Sequence, residues 1–550
     1  MQVVLTPAEM READRRTIDA GTSFTDLVER AGRSAARVVL AELGGVYGRR
    51  AVIICGPGNN GADGHVAARV LRSRGVRCDV FDLRSPLDRF AVARAIRRCN
   101  VLVDAMYGTG FHGALEGDAA WIAEQTKGRA AGINLFRVVA IDIPSGVDGL
   151  TGAITGGAVS ADHTVTFGAL KPGLLFEPGR GFAGALTVAE IGLEIRPEIG
   201  LDIGPDISLG LVDEGDVGEW LPRRMANDHK WSIGPVMVIG GSPGMMGAGR
   251  LGAAAALRSG SGVVVLYAPD LRGGESPAES ARQGWGQSGE SSQLGESSES
   301  PAESPGESAR QGWGESLNAP SSWGSEVITR SIPSGLEGRL DSESAEYLLA
   351  ASERFAAVLI GPGLGTDQVG ADQGMGEVVR SLLLKISAPI VLDADGLNAL
   401  GGDIAPLQDR AKAGLGPVIL TPHDGEFNRL FGEVGPDRVQ AARRLANESR
   451  ATVLLKGPTT VIAEPDGRAY LVNSGGPWLA TAGSGDILAG IIAALLACGL
   501  PPGQAAAGGA WLHCRASDFA GHTCLVASDL LGAIPAVWRS INGTTNKHHH

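Results

Sequence analysis

Gly483, Ser484 and Gly485 precede a single carboxylate, Asp486, and an apolar, Gly/Ala-rich run follows from Ile487 to Leu500. The run reads as a buried helix. Small residues before it let backbone N–H groups converge where the helix macrodipole is positive. Such a turn binds an anion, above all a phosphate. Asp486 then falls in the first helical turn, beside that anion. A carboxylate so placed can take a proton from a hydroxyl while a phosphoryl group arrives. The plainer alternative is an Asp that caps the helix after a glycine turn.

Three more loops carry polar chemistry. AVIIC (Ala51 to Cys55) runs into GPGNNGADG, VLVDA (Val101 to Ala105) into MYGTGFHG, and RVVAI (Arg137 to Ile141) into DIPSGVDG. NNGADG (Asn59 to Gly64) reads as a loop before the helical HVAARVL. Its Asn side chains offer a carbonyl oxygen and amide donors together, which suits a phosphate plus a monovalent cation. Asp104 and Asp142 add carboxylates, and Ser145 adds a hydroxyl. An Asx-turn or a cap explains any one of these loops. Three in succession at strand ends point to a site for an anionic, nucleotide-like ligand.

Strands alternating with helical stretches predict an α/β fold, with a parallel sheet whose ligand loops gather at the strand C-terminal edge. From Thr25 to Leu43 the apolar spacing is helical. A Gly/Pro/Asp-rich stretch near Ile199 to Ser208 marks a boundary, so residues 1–205 and 206–540 read as two domains. The second restarts with VMVIGG (Val236 to Gly241), a glycine turn and an Ala-rich helix from about Gly249. Strands at Val263 to Tyr267, Val358 to Gly361, Pro389 to Asp395, Pro417 to His423 and Thr452 to Gly457 follow. Residues 271–325 form a low-complexity insertion in which ESARQGWG occurs twice; it lacks the aliphatic residues for a core and reads as a disordered surface loop. Residues 541–550 read as a tail, and His548 to His550 as a truncated purification tag.

The 550 residues exceed one ordinary domain, and 43% hydrophobic with 20% charged content fits a globular protein. With a net charge of −13 and no long Lys/Arg cluster, a nucleic-acid partner is excluded. Arg72, Arg74 and Arg77 read as a solvated helix end. The six cysteines form no CxxC pair, which points to a reducing, cytoplasmic compartment. The N-terminus turns polar by its eighth residue and is no signal peptide. The longest apolar run is too short and Gly-rich to span a bilayer, so no membrane association is expected.

The first-half motifs resemble the NAD(P)H-hydrate epimerase domain, which is Rossmann-like and three-layered. GPGNNGADG resembles its GxGNNGGDG loop with Ala62 in place of a glycine, and a methyl there strains a left-handed backbone. DAMYGTG, DIPSGVDG and TFGALKPGLL (Thr166 to Leu175) match its later loops and late strand. The resemblance implies potassium on Asn60, Asp104 and Ser145. It places the hydrated dinucleotide on Asn59, Asn60, Gly61, Ala62 and Asp63, on Gly108, Thr109, Gly110, Phe111, His112, Gly113 and Ala114, and on Asp142. Asp142 is then the proton-transfer group, with Lys171 the weaker candidate.

The second half resembles the ADP/ATP-dependent NAD(P)H-hydrate dehydratase, which has a ribokinase-like α/β fold. HKWSIGPVMVIGG, GPGLG, DADGLN, TPHDGEFNRL, KGPTT and ATAGSGD follow in the family's order. The resemblance implies that Ala248, Gly365, His423 and Asp486 contact the hydrate, and that Lys456, Gly457, Pro458, Thr459, Thr460 and Gly485 contact the nucleotide. Glu426 could join His423, and Asp393 and Asn398 are either structural or linked to magnesium. ADP is favoured over ATP because the family's fused bacterial members use ADP; Mg2+ accompanies it, and a homo-oligomer is implied.

The expected activity is therefore metabolite repair: the first half interconverts R and S hydrates of NADH and NADPH, and the second dehydrates the S form at the expense of ADP, giving AMP and phosphate. Two alternatives stand beside it. One is a ribokinase-class small-molecule kinase fused to a nucleotide-binding module. The other makes the first half a non-catalytic scaffold, against which the intact carboxylates Asp104 and Asp142 argue.

Overall fold

The computed structural model describes residues 1–127, 136–195, 209–269, 326–334, 339–365 and 374–545. The boundary stretch near residue 205 and the insertion at 271–325 lie outside the described residues, as does the end of the tail.

The first sheet has six strands in the order β3-β2-β4-β5-β6-β7, all parallel. They are β2 (Arg50–Cys55), β3 (Arg77–Asp82), β4 (Val101–Ala105), β5 (Arg137–Ile141), β6 (His163–Phe167) and β7 (Ala185–Ala189). In β2, β4 and β5 the residues Val52, Ile53, Leu102, Val103, Val138 and Val139 are all buried, because helices cover both faces. The chain leaves β2 for β3 on one side and returns to β4 on the other. Ligands bind in α/β sheets at such a reversal, and the three polar loops leave β2, β4 and β5.

The second sheet has eleven strands, β1-β8-β17-β16-β15-β14-β13-β12-β9-β10-β11. Its parallel centre comprises β9 (Val236–Ile239), β10 (Val264–Pro269), β11 (Ile328–Ile332), β12 (Ala357–Ile360), β13 (Ile390–Leu392), β14 (Val418–Leu420) and β15 (Thr452–Leu455). The antiparallel strands β16 (Thr460–Ala463) and β17 (Ala469–Val472) extend it. Here the order reverses between β9 and β12. The loops leaving these two strands are tied together, Gly241 N–H to Pro362 O at 2.9 Å and Ser242 N–H to Gly363 O at 2.6 Å.

The edge of this sheet corrects a simple split at residue 205. β8 (Leu209–Leu211) pairs antiparallel with β1 (Gln2–Val3), so the first residues of the chain complete the second half's sheet. One apolar cluster accordingly contains Val4, Leu170, Leu175 and Phe176 beside Val453, Leu455 and Val461.

The helix Ser484–Ala497 is buried on nearly every side, as its apolar sequence requires. It packs against Met246–Arg258 at glycine contacts: a Cβ on Gly490 would stand 2.1 Å from Gly252 O. That close approach fixes the start of the helix, where Asp486 sits.

Candidate functional site: two carboxylate-centred sites at strand ends

In the first half, a cavity of about 940 Å³ lies over the ends of β2, β4 and β5. Asn59, Asn60, Asp63, Gly108, Thr109, Gly110, Phe111, His112, Asp142 and Lys171 line it. Gly61, Ala62, Gly113 and Ala114 are not lining residues; Ala114 instead forms an isolated bridge with Thr155. NNGADG is not a loop. The helix begins at Asn59 and runs to Ser73, so Ala62 has ordinary helical backbone and the expected left-handed strain does not arise. The glycine that close packing does require is Gly61, where a Cβ would meet Gly56 O at 1.9 Å.

Asp142 adopts φ +67°, unusual for a residue with a Cβ. Its Oδ1 stands 3.0 Å from Lys171 Nζ, and its Oδ2 accepts from Thr109 N–H at 2.9 Å and from Thr109 Oγ1 at 3.0 Å. Burial works to raise its pKa, but the Lys171 ammonium and the Thr109 donors prevail and hold it below the usual carboxylate range. Lys171 also donates to Thr166 Oγ1 at 2.7 Å and to Phe167 O at 3.0 Å. Asp63 behaves oppositely: burial, then the charges of Asp142 and Asp14, push it up to about 8. The site thus pairs an ionised carboxylate with a protonated one.

Asp104 is buried and accepts from Ser145 N–H at 2.8 Å, Ser145 Oγ at 2.7 Å and Met106 N–H at 3.1 Å. Burial outweighs these donors and pushes it up to about 6. Both amide atoms of Asn60 are buried without a hydrogen-bond partner. A buried, orphaned amide oxygen is the kind of group that an oxygen-coordinated monovalent cation would satisfy.

The sequence reading missed Asp14, on the helix Pro7–Asp19, which faces the cavity. Burial raises its pKa, opposed by Lys171 and aided by Asp142. No motif marks it; only the packing of the N-terminal helix brings it in.

In the second half, β13, β14 and β15 deliver Asp393, Thr421, His423 and Lys456 to one edge. Lys456 Nζ stands 2.6 Å from Asp393 Oδ1, which also accepts from Thr421 Oγ1 at 2.7 Å. Burial lowers the Lys456 pKa, but Asp393, Glu426 and Asp486 outweigh it and raise it. A Cβ on Gly485 would lie 3.5 Å from Lys456 Nζ, so the ammonium reaches the start of Ser484–Ala497. Gly483 opens that turn at φ +87°.

Gly483 occupies the N-cap position of this helix, so Asp486 lies within the first turn and not at the cap. Burial, then the charge of Asp393, pushes it up to about 7 against the pull of Lys456. A carboxylate that titrates near neutrality beside a cationic, anion-binding turn suits proton abstraction during phosphoryl transfer. Ser484 Oγ lies 2.9 Å from Nε2 of buried His513, whose pKa burial lowers to about 4, so the hydroxyl points into the core.

His423 caps the helix Asp424–Phe431: its Nδ1 accepts from Glu426 N–H at 3.2 Å, and Glu426 returns a bond to His423 N–H at 2.9 Å. The ring's far side stays exposed. Gly365 N–H donates to Asp395 Oδ2 at 2.9 Å. Ala248 meets Gly363 in the tied loops, which a Cβ on Gly363 would approach within 3.0 Å. Asn398 donates to Asp395 and accepts from Arg429. Asp393 serves Lys456 and Thr421. Among the described residues no group of three or more His, Cys, Asp or Glu could hold a metal. Mg2+ needs no such cage when phosphates supply ligands. Thr460 begins β16, with its Oγ1 3.4 Å from Gly457 O, and Thr459 faces the first half.

Fold and sites together define a protein of two α/β halves, each with carboxylates gathered at the ends of parallel strands. The family described as NAD(P)H-hydrate dehydratase matches residues 318–535, and the one described as YjeF-related protein N-terminus matches residues 25–94 and 84–173. The bifunctional NAD(P)H-hydrate repair enzyme Nnr of Moorella thermoacetica is 35% identical, over 98% of this chain and 97% of that protein. Its counterpart in Salinibacter ruber is 33% identical, over 97% and 96%. A crystal structure of the ADP/ATP-dependent NAD(P)H-hydrate dehydratase from Bacillus subtilis aligns at 26% identity and a TM-score of 0.42, covering 60% of this chain and 98% of that one.

The chain belongs to the bifunctional NAD(P)H-hydrate repair enzymes. It joins an epimerase half to a dehydratase half.

Proposed function

We propose that the first half epimerises the R and S hydrates in its cavity, with Asp142 as the proton-transfer group: it takes the proton of the hydroxyl on the hydrated carbon as that carbon's bond to the ring nitrogen breaks, the electron pair passing to the nitrogen, and returns the proton as the bond re-forms on the opposite face. Thr109 and Lys171 keep that carboxylate ionised and aimed. Asn59, Asn60, Asp63 and the Gly108–His112 turn bind the hydrated dinucleotide. Asn60, Asp104 and Ser145 hold potassium, whose charge steadies the phosphates nearby; the unpartnered Asn60 amide supports this assignment.

The second half dehydrates the S hydrate at the expense of ADP. Hydroxide is a poor leaving group, and the nucleotide's terminal phosphoryl group converts it to phosphate, a good one. Asp486 takes the hydroxyl proton. The N–H groups at Gly483–Gly485 and the Lys456 ammonium stabilise the developing charge. Lone-pair donation from the ring nitrogen then expels phosphate and leaves an iminium, and loss of a proton from the adjacent ring carbon restores the dihydropyridine. Ala248, Gly365 and His423 contact the hydrate. The Lys456–Thr460 turn and Gly485 contact the nucleotide, which carries Mg2+.

The observation that carries this reading is Asp486, in the first turn of the helix Ser484–Ala497 beside the Lys456 ammonium, with its pKa pushed up to about 7. The test supplies mixed hydrates with ADP or ATP, magnesium and potassium, and follows the return of dihydronicotinamide absorbance. A stable phosphorylated product without that absorbance would support the small-molecule kinase instead. Six free cysteines agree with the reducing, cytoplasmic compartment proposed for the chain. Light scattering tests the homo-oligomer.

A further inference from the structure

The KGPTT turn is gripped by the other half of the molecule. Thr459 is buried, and its hydroxyl donates to Leu175 O at 2.5 Å. Arg180 Nη1 reaches Pro458 O at 3.4 Å. Its own half holds the two ends of the turn, at Lys456 through Arg438 Nη2 on Lys456 O at 2.8 Å and Lys456 N–H on Pro422 O at 2.9 Å, and at Thr460 through its pairing with Val472 in the sheet. The partner carbonyl is equally well placed. Leu175 ends the short turn Pro172–Leu174, which starts directly after Lys171, the residue that pairs with Asp142.

The path from Asp142 through Lys171, Leu175 and Thr459 to Lys456 therefore contains one short rigid turn on each side of a single hydrogen bond. Leu175 and Phe176 share an apolar cluster with Val453, Leu455 and Val461, the strands flanking the KGPTT turn. The two sides thus sit in one packed core, and a shift of one turn is resisted by the other.

We propose that Thr459 is a positioning residue of the dehydratase: it does not touch the nucleotide through its hydroxyl, but fixes the Lys456 turn to the first half. This rests on the reading that the Lys456 turn binds the nucleotide. The first half is then a structural part of the nucleotide site as well as an epimerase. The coupling through the turn runs in both directions, since it is an equilibrium property.

Steady-state dehydratase kinetics with varied ADP, on the full chain, test it. Thr459→Val keeps the shape and removes the donor. Its KM for ADP should rise about three- to tenfold with kcat little changed, the loss of one buried hydrogen bond. Thr459→Ser should restore the wild-type KM. A merely structural Thr459 would lower the melting temperature and leave the KM alone, and that result overturns the proposal. If Thr459→Val does not fold, Arg180→Ala removes the second strap at a half-buried position. A rise of about twofold or more in KM then supports the proposal, and an unchanged KM overturns it. Lys456→Ala separates the layers. If it leaves the KM for ADP unchanged, the nucleotide assignment itself fails. If it raises the KM while Thr459→Val does not, only the positioning role fails.

Discussion

Lys171 Nζ stands 3.0 Å from Asp142 Oδ1, with the lysine 1% exposed. The pair closes the floor of the first-half cavity, and each charge compensates the other's burial. Lys171→Met should therefore act on Asp142. Without the ammonium, burial dominates and the carboxylate's pKa rises. The acid limb of the epimerase pH–rate profile should move to higher pH. Breaking a buried pair from one side should also cost about 3–5 kcal/mol of stability, read by denaturant unfolding.

Asp142→Asn removes the proton carrier without changing shape. R-hydrate repair should fall by about a hundredfold or more. S-hydrate dehydration should persist, because Asp486 lies in the other half. Equal loss of both activities, or survival of both, would refute the assignment of Asp142.

Asp486 carries opposite consequences for activity and stability. With its pKa near 7, dehydratase activity should decline as the pH falls below neutrality. Its folded pKa is raised, so the native state holds its proton more tightly than the unfolded chain does. Stability from this group is full at low pH and is lost as the pH rises through about 7. Asp486→Asn should abolish dehydration, yet melt higher than wild type at pH 8. That advantage should shrink as the pH falls toward the range of an unperturbed carboxylate.

Asn60→Ala tests the cation site. Removing the unpartnered amide should raise the potassium concentration needed for half-maximal epimerase activity by about tenfold or more. The dehydratase, assayed on pure S hydrate, should keep its rate. A potassium response identical to wild type would remove Asn60 from the site.

Gly490→Ala probes the helix contact that positions Asp486. The added Cβ would meet Gly252 O at 2.1 Å, and overpacking of this kind costs about 1–3 kcal/mol. Dehydratase activity should drop with the melting temperature of the second half, while the epimerase continues.

Much of this enzyme is written locally. Runs such as VLVDA and TVLLKG are apolar at consecutive positions because both faces of a parallel strand are covered, so strands and their polar exit loops can be read directly. Asp142 and Lys456 stand on those loops for the same reason, while Asn60 and Asp486 fall in the first turns of the helices Asn59–Ser73 and Ser484–Ala497. The start of the NNGADG helix is hidden in the sequence because glycines weaken the helical signal, whereas packing against Gly56 demands one.

The sequence by itself thus determined two α/β halves, the strand-end loops and the identity of their carboxylates, since these follow from patterns within a few residues. Tertiary structure alone decided the rest. It placed Gln2–Val3 against Leu209–Leu211, brought Asp14 to the cavity, turned Thr459 toward Leu175, and separated the titration of Asp142 from that of Asp63 and Asp486. Each depends on which distant groups share a buried space. Burial and charge act through space, and spacing along the chain does not record them.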